Sequence, residues 1–286
     1  MHKPTIGFIG AGGMGGPMAI RLAAAGYPLV VCDQNPAVRS RFAGGTAKVA
    51  DCAAADIVVF MVATDDQVVA VTDALLAAVD ASRPPLLLVT STALPATMAA
   101  VSARAAVKGV VVVDAPVSGG VTAAASGTLS FMVGGADADV ARARPILSAM
   151  GSTIVECGAS GQGQAVKLLN NLVGAPAALL MAEAVSLALR LGVDPALMAR
   201  AMECSSGRNM GSADIGFFKA FCAANLAGGD DMIATFIALG RKDTGLALGL
   251  ARNVGLDLPV LAAINAGQQT LDPAALRDRF AEIVKG

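Results

Sequence analysis

Short apolar runs alternate with stretches of helical periodicity through roughly the first 160 residues. The runs are Ile6–Ile9, Leu29–Cys32, Ile57–Val62, Leu86–Val89 and Val110–Val113. Between them, Met14, Met18 and Leu22 recur four residues apart, and a helical stretch follows Asp33. Val68–Val79 is apolar at helical spacing, and a further helix is predicted near Ala93–Ala106. Apolar runs this short, separated by helices, predict strands buried on both faces of a parallel sheet. Thr128–Val133 and Thr153–Val155 read as added strands. The period then changes near residue 162. Gln164–Arg190 is helical almost without a break, despite Gly174 and Pro176. Helical segments continue at Pro195–Met202, Gly216–Ala224, Ile233–Val254 and Pro259–Thr270, with no strand pattern among them.

The predicted fold is therefore α/β, with a doubly wound N-terminal domain over residues 1–162. A second, all-α C-terminal domain covers residues 163–286. The Ala/Leu-rich helix that opens this second domain is apolar on more than one face. It needs other helices or a partner subunit to cover it.

Composition narrows the picture by exclusion. A net charge of -1 offers no basic field for nucleic acid or an anionic membrane. Hydrophobic residues make up 55% of the chain, which invites a membrane reading. The long uncharged stretches Pro84–Ala103 and Ala115–Ala136, however, carry Pro, Gly, Ser and Thr clusters and read as strands and loops. The first apolar run breaks into glycines too soon for a signal peptide. Cys32, Cys52, Cys157, Cys204 and Cys222 show neither CxxC nor metal spacing. They read as buried, reduced thiols of a cytoplasmic protein; Cys204 and Cys222 are either reactive or, the better reading, structural, and no metal site is expected.

The most informative local pattern is Gly10-Ala11-Gly12-Gly13-Met14-Gly15, placed between the first strand and the first helix. Strand, G-x-G-x-x-G and helix form a dinucleotide-binding fingerprint of the Rossmann kind. Gly10 permits the turn, Gly12 lets backbone approach a pyrophosphate, and Gly15 lets helix and strand pack closely. The second strand ends in Asp33, where a carboxylate accepts hydrogen bonds from an adenosine ribose. This predicts NAD as cofactor, with NADP possible.

Ligands of open α/β sheets bind beyond the carboxyl ends of the strands. Three segments follow such ends: Met61–Thr64, Thr90-Ser91-Thr92 and Asp114–Gly120. Within the last, Ser118-Gly119-Gly120 offers a hydroxyl and successive N–H groups suited to a carboxylate, or else forms an ordinary glycine turn. Lys167 and Asn171 lie four apart and share a helix face. Lys167 is a candidate proton donor, and its bland alternative is a surface lysine with a snorkelling stem. Lys242-Asp243 reads as a solvated pair. The only histidine is His2 and the only tyrosine is Tyr27, near the remote end of the sheet. That excludes Ser-His and Cys-His chemistry and a Tyr-x-x-x-Lys donor, leaving Lys, Asp, Glu or Cys to move protons.

Five motifs in series carry a resemblance: GFIGAGGMGGPMA, STALP, DAPVSGG with GTLSFMVGG, GQGQAVKLLNN and RKDTGLA. The chain resembles the β-hydroxyacid dehydrogenases over nearly its full length. That family includes 3-hydroxyisobutyrate dehydrogenase and tartronate semialdehyde reductase. The resemblance implies hydride transfer between NAD(P) and a small 3-hydroxy acid or its semialdehyde. It implies Lys167 as general acid/base and Asn171 as the holder of the substrate hydroxyl or a neighbouring oxygen. Ser118, Gly119 and Gly120 would take the substrate carboxylate. Val62, Ala63, Gln67, Thr92 and Lys242 would line the cofactor. It also implies a homodimer or homotetramer assembled through the helical domain. The related imine reductases generally lack this lysine, so Lys167 argues against them. A non-catalytic dinucleotide-binding module would have lost Lys167 or the Ser-Gly-Gly segment. Two departures stand out. Ala63 replaces the usual proline after Met61-Val62, and Asp33-Gln34-Asn35 replaces the Asn-Arg-Thr common in NADP-preferring members.

Overall fold

The computed structural model describes residues 3–286, so His2 lies outside the described residues. The chain packs as two compact units, one ending at Lys167 and the other running from Leu168 to Gly286.

In the first unit, β1 (Ile6–Ile9), α1 (Gly15–Ala24) and β2 (Leu29–Cys32) come first. A single turn, α2 (Pro36–Arg39), and a short strand, β3 (Gly45–Thr46), follow. Next come β4 (Ile57–Phe60), α3 (Asp65–Leu76), β5 (Leu86–Val89), α4 (Pro95–Ala106) and β6 (Val111–Asp114). The unit is completed by β7 (Val117–Ser118), α5 (Gly120–Ser126), β8 (Leu129–Gly134), α6 (Asp137–Met150) and β9 (Gly151–Gly158). The sheet runs β3-β2-β1-β4-β5-β6-β8-β7, with β9 beside β8. Strands β1 to β6 pair in parallel, Ile6 facing Leu29 on one side and Ile57 on the other. β8 runs antiparallel to β6 and β7, and β9 runs parallel to β8. Strand order reverses between β2-β1 and β4, which creates the crevice where dinucleotides sit in doubly wound folds.

The side-chain period of two sorts each strand between two cores. Phe8, Val31, Val59, Leu88 and Val113 pack on the α1 and α6 side with Met18, Leu22 and Ile146. Ile9, Val58, Phe60, Leu87 and Val89 pack on the other side with Val68, Leu75, Met98 and Val101 of α3 and α4. Burial on both faces explains why these strands read as unbroken apolar runs.

Three local differences from the sequence reading have simple causes. The stretch after Asp33 holds only one helical turn, because Asn35 caps it and Pro36 starts it but Gly44-Gly45 turns the chain into β3. α6 went unseen because its polar positions and Pro145 hide the periodicity, although Asp137 and Asp139 favour its first turn. Ser118-Gly119-Gly120 is the junction between β7 and α5, with Gly119 at φ 124°.

The second unit is helical. α7 (Gln162–Arg190) starts within the first unit and continues as the leading helix of the second. α8 (Pro195–Glu203), α9 (Met210–Ala213), α10 (Ile215–Ala227), α11 (Gly229–Asn253), α12 (Pro259–Gln269) and α13 (Pro273–Lys285) follow. Their core joins Met181, Val185, Phe218, Cys222, Ile233, Ile237, Leu276, Phe280 and Ile283. In a chain with few aromatics, Phe218, Phe221, Phe236 and Phe280 gather here, with ring centroids 5.4–6.1 Å apart. α7 is long and apolar enough to cross a membrane by length and composition, although Met181, Ala182 and Val185 are core residues. The expectation of five buried thiols needs correcting. Burial pushes the Cys52 and Cys222 thiols up to about 12. Cys157, on the outer strand β9, is only half-buried, and Cys204, at the end of α8, is exposed.

Leu88 sits in the middle of the sheet with no exposed surface. Leu88→Ala will destabilise the first unit by about 2–5 kcal/mol. The chain has no tryptophan and its one tyrosine, Tyr27, lies in the first unit. Tyrosine fluorescence during urea unfolding therefore reads that unit alone. A loss below about 1 kcal/mol would contradict the packing described.

Candidate active site

The loop after β1 is built by close backbone approach. Gly10 has φ 88° and donates its N–H to the Cys32 carbonyl at 2.8 Å. A Cβ on Gly10 would lie 2.2 Å from the Met61 carbonyl oxygen, so the loops after β1 and β4 touch through it. A Cβ on Gly15 would lie 1.9 Å from the Gly10 carbonyl, and no side chain fits there. On the outer side, Gly12 and Gly13 are exposed, with nothing within 4 Å of where a Cβ would project. Met14 at the start of α1 supplies no side-chain cap. The Gly16 N–H is bonded to the Gly12 carbonyl at 2.8 Å and Pro17 has none, so it is the open backbone of Gly12 and Gly13 at the positive end of the helix dipole that fits a pyrophosphate. Ala11 lies beneath this loop, fully buried.

Asp33, half-buried just after β2, is engaged through both carboxylate oxygens. Its Oδ2 accepts the Ala11 N–H at 2.8 Å, and its Oδ1 accepts the Asn35 N–H at 2.8 Å. The carboxylate thus ties the glycine loop to the end of β2, and each oxygen keeps a lone pair for a hydroxyl. Arg39, which sequence reasoning missed, donates to the Asp33 and Gln34 carbonyls at 2.9 and 2.7 Å. It clamps the loop that carries Asp33.

The next strand ends are tied together in the same way. Val62 donates its N–H to Ser91 Oγ at 2.8 Å, joining the loops after β4 and β5. Ala63 donates to Gln67 Oε1 at 2.8 Å, while Thr64 caps α3 by accepting the Gln67 N–H. Gln67 therefore shapes the loop as well as lying on it. Thr92 is half-buried beside Ser91. Ser118 ends β7 opposite Ser130, and Gly119 and Gly120 are exposed at the start of α5.

Lys167 is only 6% exposed, on the second turn of α7. The surface-lysine alternative does not describe it. Asn171, one turn further along, donates Nδ2–H to Asp243 Oδ2 at 2.6 Å. Lys242 and Asp243 are half-buried on α11, so the expected solvated pair is corrected. Asp243 fixes the amide of Asn171, and no spacing in the sequence links residues 72 positions apart.

Two further residues have partners that no local pattern in the sequence shows. Asp114, the last residue of β6, has no exposed surface and accepts the N–H groups of Gly161 and Gln164 at 2.7 and 2.9 Å. Gln164 is equally buried; its Oε1 accepts the Ala93 N–H at 2.9 Å and its Nε2 donates to the Ser91 carbonyl at 2.8 Å. The start of α7 is thereby bound to the ends of β5 and β6. Among the described residues no cluster of His, Cys, Asp and Glu could hold a metal.

Residues 5–158 match the family model of the NAD-binding domain of 6-phosphogluconate dehydrogenase. Residues 161–285 match that of the NAD-binding region of NADP-dependent 3-hydroxyisobutyrate dehydrogenase. The 3-hydroxyisobutyrate dehydrogenase of Pseudomonas aeruginosa is 38% identical over 268 residues, covering 89% of this chain and 88% of that one. The chain belongs to the β-hydroxyacid dehydrogenase family. The human mitochondrial 3-hydroxyisobutyrate dehydrogenase is 41% identical over 212 residues. That match covers 72% of this chain but only 63% of the human protein's length. Among solved structures, the 3-hydroxyisobutyrate dehydrogenase of Mycobacterium tuberculosis with L-serine superposes with a TM-score of 0.78 at 30% identity. That likeness covers 96% of this chain and 98% of the other. As in the family, the group that fits the open glycine loop of this chain is NAD or NADP.

The double role of Asp33 separates two substitutions. Asp33→Ala removes both the Ala11 contact and the charge, and will weaken NADH roughly tenfold and NADPH less. Asp33→Asn keeps an acceptor for Ala11 but loses the charge, and will chiefly narrow the gap between the two cofactors. Fluorescence titration with each nucleotide reads both effects. Unchanged NADH affinity in Asp33→Ala would show that Asp33 does not hold the loop.

Proposed function

We propose that this protein transfers a hydride between NAD(P) and a small 3-hydroxy acid or its semialdehyde, with NAD preferred. The single observation that carries the reading is Lys167, a buried lysine on a helix whose start is bound to the carboxyl ends of β5 and β6. Ligands of doubly wound folds bind beyond those strand ends, and a lysine buried there is placed to hold or move a proton. 3-Hydroxyisobutyrate is the first substrate to test. Tartronate semialdehyde is the second, and L-serine, bound by the tuberculosis relative, belongs to the same 3-hydroxy acid class.

Gly10, Ala11, Gly12, Gly13, Met14 and Gly15 hold the pyrophosphate, and Asp33 accepts from the ribose. Val62, Ala63, Gln67, Thr92 and Lys242 are the further residues proposed to line the cofactor. The nicotinamide, when bound, supplies the hydride acceptor or donor. Lys167 handles the proton. In oxidation its neutral amine takes the substrate hydroxyl proton as the hydride leaves the same carbon. In reduction its ammonium protonates the oxygen of the semialdehyde. Asn171, held by Asp243, orients that oxygen from the same face of α7. Ser118, Gly119 and Gly120 bind the carboxylate through the hydroxyl and backbone N–H groups. A guanidinium cannot replace Lys167, since it stays protonated.

The proposed division of labour gives dinucleotide binding to residues 1–162, and substrate binding and assembly to residues 163–286. Leu169, Val173, Leu180 and Leu187 form an exposed stripe on α7, spaced by four and seven residues. Such a stripe supports a homodimer or homotetramer built through the helices. Reduced thiols and the lack of a net positive charge accord with a cytoplasmic location.

The test is absorbance of reduced nicotinamide during a screen of small 3-hydroxy acids and their semialdehydes with both cofactors. Lys167→Ala will lower kcat by roughly 10²-fold or more on the best substrate, with NADH affinity retained. Near-full turnover in that variant would remove Lys167 from the chemistry. Ser118→Ala will raise KM more than it lowers kcat, because the carboxylate is held in ground and transition states alike. An unchanged KM would place the carboxylate elsewhere.

A further inference from the structure

A helix start that is buried must find acceptors for its free N–H groups. α7 starts on Gly161, whose carbonyl accepts the first helical bond, from Ala165, at 3.0 Å. Glycine has no side chain to cap the turn. The capping-box bonds run from the third helical residue's N–H and from the cap's own N–H. Here one carboxylate on a distant strand accepts both: Asp114 takes the Gly161 N–H at 2.7 Å and the Gln164 N–H at 2.9 Å. Burial pushes the Asp114 carboxyl up, against the opposing pull of these backbone donors.

The space around the carboxylate is fitted to it. A Cβ on Gly134 would lie 2.6 Å from Asp114 Oδ1, and one on Gly163 would lie 2.7 Å from Oδ2. The same Gly163 Cβ would meet the Met132 carbonyl oxygen at 2.3 Å, so the first turn of α7 is pressed onto β8. Because Asp114 performs the capping, the side chain of Gln164 is released from that task. It crosses instead to Ser91 and Ala93, and Ser91 Oγ in turn holds Val62. Lys167 follows Gln164 by three residues, about 4.5 Å along the axis.

From this geometry we infer that Asp114 is a positioning residue for the proton transfer: it sets the start of α7, and with Gln164 it fixes the place of Lys167 relative to the strand ends. This rests on the proposed role of Lys167. Neither Asp114 nor Gln164 touches substrate in this scheme. Their effect passes through the helix, so they act on kcat and not on binding.

The experiment compares Asp114→Asn and the milder Gln164→Glu with the unaltered protein. The asparagine keeps one acceptor but turns an N–H toward the other backbone donor. The glutamate keeps the Ala93 contact and loses the donor to Ser91. Hydrogen–deuterium exchange without substrate will show faster amide exchange across residues 161–167 in Asp114→Asn, with the glycine loop at residues 10–15 unchanged. Steady-state kinetics will show kcat lowered roughly 10- to 100-fold in Asp114→Asn and less in Gln164→Glu. KM for the acid and the Kd for NADH will stay within about twofold, with one NADH site per chain. That split, with a full count of sites, separates misplacement from partial unfolding. Unchanged exchange, or a full kcat in Asp114→Asn, overturns the inference. A fall in site number that parallels kcat in both variants also overturns it, because that pattern marks a merely structural role. Absence of any turnover in the unaltered protein would instead overturn the functional reading, while the exchange result would still decide whether Asp114 anchors the helix.

Discussion

A carboxylate taken out of water must be compensated by donors, and a buried helix start must be compensated by acceptors. In this chain the two demands answer each other. Asp114 ends a strand in the interior of the sheet, and α7 begins against it. The bond set is charge-assisted and strongly directional, so it fixes more than the height of the helix. It also frees Gln164 to reach the loop after β5, where Ser91 ties in the loop after β4. Gly10 then joins the loop after β4 to the loop after β1, and Asp33 joins that to the end of β2. The strand ends of the first unit thus form one connected framework, and Lys167 stands on the helix rooted in it.

The same device recurs at smaller scale. Asp33 holds the glycine loop as well as presenting oxygens outward, and Gln67 supports the Ala63 amide at the position where the family usually has proline. A proline there would need no such bond, since it has no N–H to satisfy. The departure in sequence is therefore matched by a local compensation in structure. In the helical unit, Asp243 steadies Asn171 across 72 residues of chain.

The parallel strands, the glycine loop and the long α7 were legible in the sequence because each rests on a local signal. Unbroken apolar runs such as Leu86–Val89 mark strands covered on both faces, and glycines at Gly10 and Gly15 mark a turn that admits no Cβ. Lys167 and Asn171 were legible as a pair because helical spacing puts them on one face. What stayed hidden depends on distant partners. Asp114 reads as a strand-end aspartate until Gly161 and Gln164 arrive against it. Asp243 reads as half of a solvated pair until α7 packs beside α11 within the helical unit. Arg39 looks like a surface cation until its guanidinium is seen on the Asp33 and Gln34 carbonyls. α6 was missed for a different reason: its polar face and Pro145 blur the period, and only packing of Val140, Ala143 and Ile146 against the sheet reveals it.

At the centre of the proposed chemistry is direct hydride transfer from the hydroxyl-bearing carbon of a small 3-hydroxy acid. The most direct measurement uses 3-hydroxyisobutyrate deuterated at that carbon, incubated with the protein and oxidised NAD. Proton magnetic resonance of the nicotinamide ring then reads where the label goes. One deuterium is expected on the ring of each reduced cofactor in the unaltered protein, with the rate lowered in proportion to kcat in Lys167→Ala. Semialdehyde formed with unlabelled reduced cofactor would contradict it, as would no reduced cofactor from this acid or any other small 3-hydroxy acid.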